Sequence, residues 1–368
     1  MKTTLTCYIA LLFSFTTVCQ TFLRRPQTPT PPFNYEIEEV TFQNARDSVT
    51  LAGTFTFPQD GNNFPAAILI SGSGPQNRNE EIFGHKPFWV LADYLTKQGI
   101  AVLRYDDRGT AKSSGNFGKA ISQDFARDVE AAVDFLRTRP EINQEAIGLI
   151  GHSEGGIIAP MVASSRQEDI GFIVLLAGVT IRGDKVMKLQ KELSLRAMGS
   201  SEKYIEQEIR FDNKLMQVIT TTSLEELSEA LTTFTKNYLE NNPEFSKTRG
   251  MTAEKYLDII TSSYTNPWIY NMLNYNPEEA LKKTRCPILA LNGENDTQVP
   301  YKENLNALQK LKATYPEKNI TTKSYPKLNH LFQESEKGTV FEYGRIEQTI
   351  APHVLVEIST WINSLHFE

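Results

Sequence analysis

Residues 146–156 read AIGLIGHSEGG, and this stretch decides the fold. Its first five residues are apolar or glycine, which is typical of a strand buried on both faces of a sheet. The next five, GHSEG, match the pattern G-x-S-x-G around Ser153, and the run 155–164 that follows predicts a helix. A strand, a sharp turn between glycines and a helix form the context in which this pattern holds a nucleophilic serine above a sheet.

Apolar runs alternate with helical patterns on both sides of this stretch. Strands are predicted at 66–70, 101–105, 146–150, 172–176, 286–292 and 320–325, and helices at 87–98, 124–137, 155–164, 304–314 and 353–365. Strands that alternate with helices predict an α/β fold with a doubly wound, mostly parallel sheet. Residues 35–57 alternate around a turn at 44–48, which predicts an antiparallel hairpin before this sheet.

The alternation stops after the strand at 172–176. Amphipathic windows without strand runs predict helices at 185–198, 202–219, 224–239, 252–262 and 277–283. Ligands bind at the carboxyl edge of open parallel sheets, so we interpret this insertion as a helical cap over that edge. The predicted segments are a signal peptide (1–19), an extended leader (20–34), a first core part (35–181), a helical cap (182–283) and a second core part (284–368).

The signal peptide is predicted from an 11-residue, mostly apolar run at 8–18, which is too short to span a bilayer. Cleavage between Cys19 and Gln20 would leave Cys286 as the only cysteine of the mature chain. We therefore expect a periplasmic or secreted bacterial protein without an internal disulfide. Lipidation at Cys19 stays open as an alternative.

Composition excludes several classes of protein. The 368 residues carry 38 Lys and Arg against 44 Asp and Glu, a net charge of −6, whereas nucleic-acid binding needs clustered positive charge. No apolar stretch reaches the roughly 18 residues of a membrane span, so no stable membrane insertion is expected. Three cysteines cannot build a zinc site or a disulfide framework.

A nucleophilic serine needs a base, and the chain has five histidines. His330 lies in a loop after the strand at 320–325, where an imidazole can reach the carboxyl edge of the sheet. His152 is beside Ser153 in the turn, and its side chain is expected to point away. His330 is therefore the predicted base.

The base needs a carboxylate that holds its tautomer and stabilises its charge. Asp296 follows the strand at 286–292 and is the predicted acid, with Glu294 on the same loop as the alternative. The resulting order Ser153, Asp296, His330 is the one that accompanies the G-x-S-x-G turn.

Two backbone N–H groups should stabilise the oxyanion of such a reaction. One is that of Glu154, which follows the nucleophile. The other is predicted in the loop 71–75, SGSGP, after the strand at 66–70, and we assign it to Ser73.

Together these residues resemble the α/β-hydrolase superfamily, and within it the bacterial esterase group related to serine aminopeptidases and dienelactone hydrolases. The stretches that carry the resemblance are SGSGPQNRNEEIFGHKPF (71–88), LADYLTKQGIAVLRYDDRGTAKSSG (91–115), GHSEGG (151–156), PILALNGENDTQVP (287–300) and LNHLFQ (328–333). The family usually has Asp where this chain has Asn77, and often at Asn79, which could change the pairing around Arg78. Residues 106–108, DDR, are interpreted as an ion-paired turn near the site.

The resemblance implies hydrolysis of a small-molecule ester through an acyl-enzyme on Ser153, without a cofactor. No segment resembles the interfacial helix of a lipase, so a short-chain ester is the expected substrate. One alternative is an aminopeptidase of the prolyl-iminopeptidase type, in which an acidic residue of the cap would hold the substrate ammonium. The candidates for that role are Glu206, Glu208, Glu225 and Glu226. The other alternative is a non-catalytic binding protein on a hydrolase scaffold. The oligomeric state does not follow from the sequence.

Overall fold

Eight strands form one sheet in the computed structural model of the chain, which describes residues 24–247 and 251–367. In chain order they are β1 (Glu36–Asn44), β2 (Val49–Phe57), β3 (Phe64–Ile70), β4 (Ala101–Tyr105), β5 (Ile142–His152), β6 (Phe172–Leu176), β7 (Ile288–Gly293) and β8 (Ile320–Tyr325). Their order across the sheet is β1-β2-β4-β3-β5-β6-β7-β8. β2 is antiparallel to both of its neighbours, and all other neighbouring strands are parallel. The predicted mostly parallel sheet with an N-terminal hairpin is confirmed.

The helices follow the strands in the predicted alternation. In chain order they are α1 (Pro87–Lys97), α2 (Ser122–Arg137), α3 (Gly155–Ser165), α4 (Gly183–Ala197), α5 (Glu202–Thr221), α6 (Leu224–Asn241), α7 (Pro243–Lys247), α8 (Ala253–Tyr264), α9 (Pro267–Asn274), α10 (Glu278–Lys283), α11 (Tyr301–Thr314), α12 (Val340–Tyr343) and α13 (Pro352–Ser364). The described residues divide into two compact units, one formed by Gly183–Tyr275 and the other by the sheet with its helices.

The core of the sheet unit follows from strands that are apolar on both faces. All five residues of β4 and all five of β6 are buried. Ala67 and Leu69 of β3 belong to a cluster with Leu91 and Leu95 of α1 and Val354 of α13. Each fully buried aliphatic side chain of this kind contributes about 1.5–3 kcal/mol. The cluster therefore fixes α1 and α13 against the sheet.

The strand order places two loops at one point of the carboxyl edge. From β3 the chain moves to β4 on one side, and β5 then pairs with β3 on its other side. Such a reversal opens a crevice at the carboxyl ends of the two strands. The loops that follow β3 and β5 contain Ser73 and Ser153, so these two serines are brought together by topology.

The helical unit has its own hydrophobic core. Phe211 and Leu215 of α5, Leu231 and Tyr238 of α6 and Tyr256 of α8 are buried in it. Two described helices of this unit, the five-residue α7 and the longer α9, were not predicted from the sequence. The signal of α9 is the pair Asn266-Pro267, because the Asn266 side chain accepts the N–H of Trp268 and proline favours the first helical position. The predicted helix at 277–283 corresponds to α10, which belongs to the sheet unit.

The predicted signal peptide, with its cleavage or lipidation at Cys19, lies outside the described residues. Two side chains of the predicted leader contact the sheet unit. Arg25 donates hydrogen bonds to the carbonyls of Phe83 and Ile346, and Gln27 donates to that of Ile350. No helix in the described part of the chain is long and apolar enough to cross a bilayer.

Candidate active site

The turn between β5 and α3 holds Ser153 in a left-handed conformation, with φ of 54°. This region is unfavourable for a residue with a Cβ, and such strain is typical of functional sites. The Ser153 N–H donates to the carbonyl of Leu176 at the end of β6 over 3.0 Å. A Cβ on Gly151 would lie 2.1 Å from the carbonyl oxygen of Gly155, and one on Gly155 would lie 2.3 Å from that of Ile70. Only glycine therefore allows this turn.

His330 and Asp296 are joined by a hydrogen bond from Nδ1 of the imidazole to Oδ2 of the carboxylate, 2.8 Å long. Both side chains are buried. The other carboxylate oxygen of Asp296 accepts the N–H groups of Gln298 and Val299 over 2.8 and 2.9 Å. Glu294, the alternative acid, instead accepts the hydroxyl of Ser324.

The loop that carries His330 is closed by Asn329 and Gln333. The side-chain oxygen of Asn329 accepts the N–H groups of Leu331 and Gln333, and its amide donates to the Gln333 side chain over 2.9 Å. Gln333 also contacts Nε2 of His85, which is fully buried. The carboxyl-edge position of His330 thus depends on a polar network as well as on β8.

The backbone N–H groups of Ser73 and Glu154 are the two predicted oxyanion donors, and the side chains of these residues contact each other. The Ser73 hydroxyl donates to Oε2 of Glu154 over 2.9 Å, and that of Ser122 donates to Oε1 over 2.6 Å. The N–H of Gly72, which precedes Ser73 in the same loop, donates to Glu80 over 2.8 Å. The N–H of Ser73 has no acceptor among the described residues.

The loop of Ser73 is also anchored from β4. Asp107 accepts the hydroxyl of Ser71 over 2.7 Å and the N–H of Gln76 over 3.0 Å. Burial raises the pKa of Asp107 well above its ordinary value. Asp107 therefore fixes this loop at both of its ends.

Asp106 and Arg108, which flank Asp107 in the predicted ion-paired turn, each form an ion pair with another part of the chain. Asp106 accepts hydrogen bonds from Nε and Nη2 of Arg78. Burial would raise the pKa of Asp106, but the hydrogen bonds from Arg78 outweigh it and hold the pKa below the ordinary value. Arg108 donates to both oxygens of the buried Asp128.

The side chain of Asn79, at a position where the family often has Asp, does not hydrogen-bond to Arg78 in the described part of the chain. The Asn79 side chain instead accepts a hydrogen bond from Nη1 of Arg104. Burial is the main cause that lowers the pKa of Arg104, to about 10, and the charge of Arg78 adds to it.

Glu80 is a residue of the site that sequence reasoning missed. Its carboxylate accepts a hydrogen bond from Nδ1 of His152 over 2.8 Å, and both side chains are buried. Burial opposes the charge of His152, but Glu80 outweighs it and raises the pKa of His152. In the sequence Glu80 is one of two adjacent glutamates in the polar segment after the loop 71–75. That segment gives no reason to choose Glu80 over Glu81 as a residue of the site.

The four cap glutamates differ in their surroundings. Glu206, Glu225 and Glu226 are exposed. Glu208 is buried, and its carboxylate lies 2.9 Å from Nζ of Lys191. No group of three or more metal-ligating side chains is arranged to hold a metal ion within residues 24–247 and 251–367.

Comparison with known proteins places this geometry in context. The family model described as serine aminopeptidase, S33, matches residues 88–336, a range that contains Ser153, Asp296 and His330. Esterase EstD of Thermotoga maritima is 24% identical over 332 residues, which are 90% of this chain and 68% of EstD.

Two solved structures share the fold. That of the esterase Pf2001 of Pyrococcus furiosus has a TM-score of 0.53 at 16% identity, covering 95% of this chain and 96% of the other. That of the hypothetical protein PA2218 of Pseudomonas aeruginosa has a TM-score of 0.53 at 19% identity, covering 95% and 99%.

Proposed function

Because this chain belongs to the serine aminopeptidase S33 family of α/β-hydrolases, we propose that it is a serine hydrolase that cleaves short-chain carboxylic esters through an acyl-enzyme on Ser153. The name of the relative EstD, which matches along 90% of this chain, supports an ester as the substrate.

The observation that carries the proposal is the buried hydrogen bond from Nδ1 of His330 to Asp296. It keeps the proton of the neutral imidazole on Nδ1, so that Nε2 is the basic nitrogen. The strained turn of Ser153 at the start of α3 supports the same assignment, since a helix N-terminus favours developing negative charge.

In the proposed reaction Nε2 of His330 takes the hydroxyl proton as the oxygen of Ser153 bonds to the ester carbonyl carbon. The N–H groups of Ser73 and Glu154 stabilise the oxyanion, an interaction worth about 10²–10³ in rate for each donor. His330 then returns the proton to the leaving alcohol, and the acyl-enzyme remains. Water attacks the acyl carbon, gives its proton to Nε2, and the acid is released as the proton returns to Ser153. Asp296 stabilises the imidazolium in both halves.

An aminopeptidase is the second candidate, and the description of the matched family favours it. It requires a carboxylate for the substrate ammonium. Glu208 already bonds to Lys191, so the exposed Glu206, Glu225 and Glu226 are better candidates for that role.

Export of the protein is proposed from the apolar run at 8–18. Fractionation of cells that express the full chain tests it, because an exported protein is recovered from the periplasm or medium with a shortened N-terminus.

The activity is tested with the purified protein on p-nitrophenyl esters from acetate to palmitate and on aminoacyl p-nitroanilides. Ser153→Ala is the test variant, and Ser165→Ala on the exposed end of α3 is its matched control. A fluorophosphonate probe followed by mass spectrometry identifies the labelled serine.

We expect fast cleavage of short esters and labelling at Ser153, both lost in Ser153→Ala and kept in Ser165→Ala. Loss of the nucleophile lowers kcat by about 10⁶ in a serine hydrolase. Turnover of anilides with weak ester cleavage would favour the aminopeptidase instead. Equal near-zero rates and no labelling would contradict catalysis and favour a binding protein.

A further inference from the structure

Glu80 and the imidazole of His152 connect three parts of the candidate site by hydrogen bonds. Its Oε1 accepts the N–H of Gly72 over 2.8 Å and Nδ1 of His152 over 2.8 Å. The opposite ring nitrogen of His152, Nε2, lies 3.1 Å from the carbonyl oxygen of His330. The loop after β3, the turn of Ser153 and the loop of the base are therefore linked to each other.

The hydrogen bonds determine the protonation of His152. A carbonyl oxygen only accepts, so Nε2 must carry a proton. The proton between Nδ1 and Glu80 belongs on the imidazole, which is about two pKa units more basic than a carboxylate in their ordinary states. With protons on both ring nitrogens His152 would be an imidazolium paired with a carboxylate, and its ring centroid lies 4.7 Å from that of His330.

The backbone of Glu80 is strained in support of this arrangement. Its φ is 50°, a left-handed value for a residue with a long side chain, and its N–H is held by the carbonyl of Asn77 over 2.8 Å. Such a conformation is unfavourable and persists where the surroundings enforce it. A buried carboxylate adds a desolvation cost that its partners must offset. The hydrogen bonds from Gly72 and His152 to Oε1 of Glu80 offset both the backbone strain and the desolvation of the carboxylate.

We propose that Glu80 and His152 form a charged positioning pair. The pair holds the loop 71–75, which contains the oxyanion donor Ser73, and the loop that carries His330 at a fixed separation around Ser153. The pair does not touch the substrate and is separate from Asp296 and His330. It engages the N–H of Gly72, which leaves that of Ser73 for the oxyanion. This role rests on the proposed hydrolase function, whereas the charge state of the pair does not.

The charge state is measured first, in the folded Ser153→Ala protein, where no turnover is required. Proton–nitrogen NMR of the protein labelled with ¹⁵N-histidine distinguishes imidazolium from neutral rings, and His152→Gln assigns the signal. At pH 7.5 we expect His152 to carry protons on both ring nitrogens and to become neutral in Glu80→Gln. A neutral His152 with Glu80 intact overturns the proposal, whether or not the protein hydrolyses esters.

The positioning role is measured by the steady-state kinetics of Glu80→Gln. The amide oxygen can still accept the N–H of Gly72, but the charge is lost and His152 keeps one ring proton. Because small displacements of catalytic groups cost up to about 10² in rate, we expect kcat to fall about 10–100-fold and KM to change less than threefold. Glu80→Asp, which keeps the charge, should retain more activity. Glu80→Gln combined with His152→Gln should cost little more than the worse single variant.

Glu81→Gln is the matched control, because Glu81 is exposed and its carboxylate lies 3.9 Å from Nζ of Lys86 at the surface. It should leave kcat unchanged. A Glu80→Gln protein that folds, by its urea denaturation, and keeps kcat within twofold overturns the positioning role. If Glu80→Gln does not fold, the NMR measurement on the Ser153→Ala protein still decides the charge state.

Discussion

Replacing Asp296 by Asn tests the candidate site most sharply, because the structure determines how the new amide must lie. Oδ1 of Asp296 accepts two backbone N–H groups, from Gln298 and Val299, and Oδ2 faces Nδ1 of His330. In Asp296→Asn the amide oxygen keeps the two N–H groups, so the NH₂ group faces Nδ1. The imidazole must then accept at Nδ1 and carry its proton on Nε2, where it cannot act as a base.

The size of the effect follows from the cost of the opposite orientation. Turning the amide over would leave the N–H groups of Gln298 and Val299 facing NH₂, at about 1–3 kcal/mol each. The total of about 2–6 kcal/mol leaves between roughly 1 in 30 and 1 in 20,000 molecules with the productive tautomer. Loss of the carboxylate charge further destabilises the imidazolium of the reaction. We therefore expect kcat to fall about 10³–10⁴-fold, as it does in serine hydrolases with a Ser-His-Asp triad.

The assay is kcat on a short p-nitrophenyl ester, with urea denaturation of each variant as a test of folding. Glu294→Gln is the control on the same loop, because Glu294 contacts Ser324 and should keep kcat within about threefold. A folded Asp296→Asn protein that keeps more than a tenth of kcat would refute the tautomer argument. Equal losses in the two variants would refute the assignment of Asp296 over Glu294.

Three further predictions concern stability, each measured by urea denaturation. Asp128→Ala removes two of the hydrogen bonds that the buried Arg108 donates, 2.6 and 2.8 Å long, and should cost about 1.5–3 kcal/mol because Asp47 still pairs with Arg108; a loss below about 1 kcal/mol contradicts this. Asn79→Asp should stabilise the protein by about 1–2 kcal/mol, because it supplies charge to Arg104, whose pKa burial lowers to about 10; destabilisation contradicts it. Burial lowers the pKa of His85 from 6.5, so the unfolded chain binds its proton first; the contribution of His85 to stability should fall as pH drops below 6.5, by at most about 1.4 kcal/mol per unit, and the stability difference between wild type and His85→Gln should shift by that slope, whereas a pH-independent difference contradicts it.

The alternation of elements in the sheet unit could be read from the sequence because each element carries its own pattern. β6 is a short run of apolar residues, β4 begins with the apolar run 101–103, and α2 has an amphipathic period that ends before Pro140. β5 is longer than predicted, since Ile142 pairs with Phe64 ahead of a register shift. Phe64 and Ile142 are far apart in the sequence, so no local sequence pattern predicts that they pair.

Ser153, Asp296 and His330 could be selected because each follows a predicted strand and because the chain has only five histidines. Ser153 is marked by the glycines of its turn, and His330 by its place after β8. The sequence left Asp296 and Glu294 as alternatives, because both lie on one loop. The direction of the two side chains depends on Gln298 and Ser324, which hydrogen-bond to Asp296 and Glu294 respectively.

The sequence by itself determined the fold class, the turn around Ser153 and the short set of candidate acids and bases, because these depend on residue types and spacing within a few turns of chain. Only the tertiary structure decided that Glu80 contacts His152, 72 residues away, and that His152 faces the carbonyl of His330. A buried charge needs a hydrogen-bonding or oppositely charged partner, and that partner can lie anywhere in the sequence that the fold places next to it. A local sequence pattern therefore does not predict such a pair.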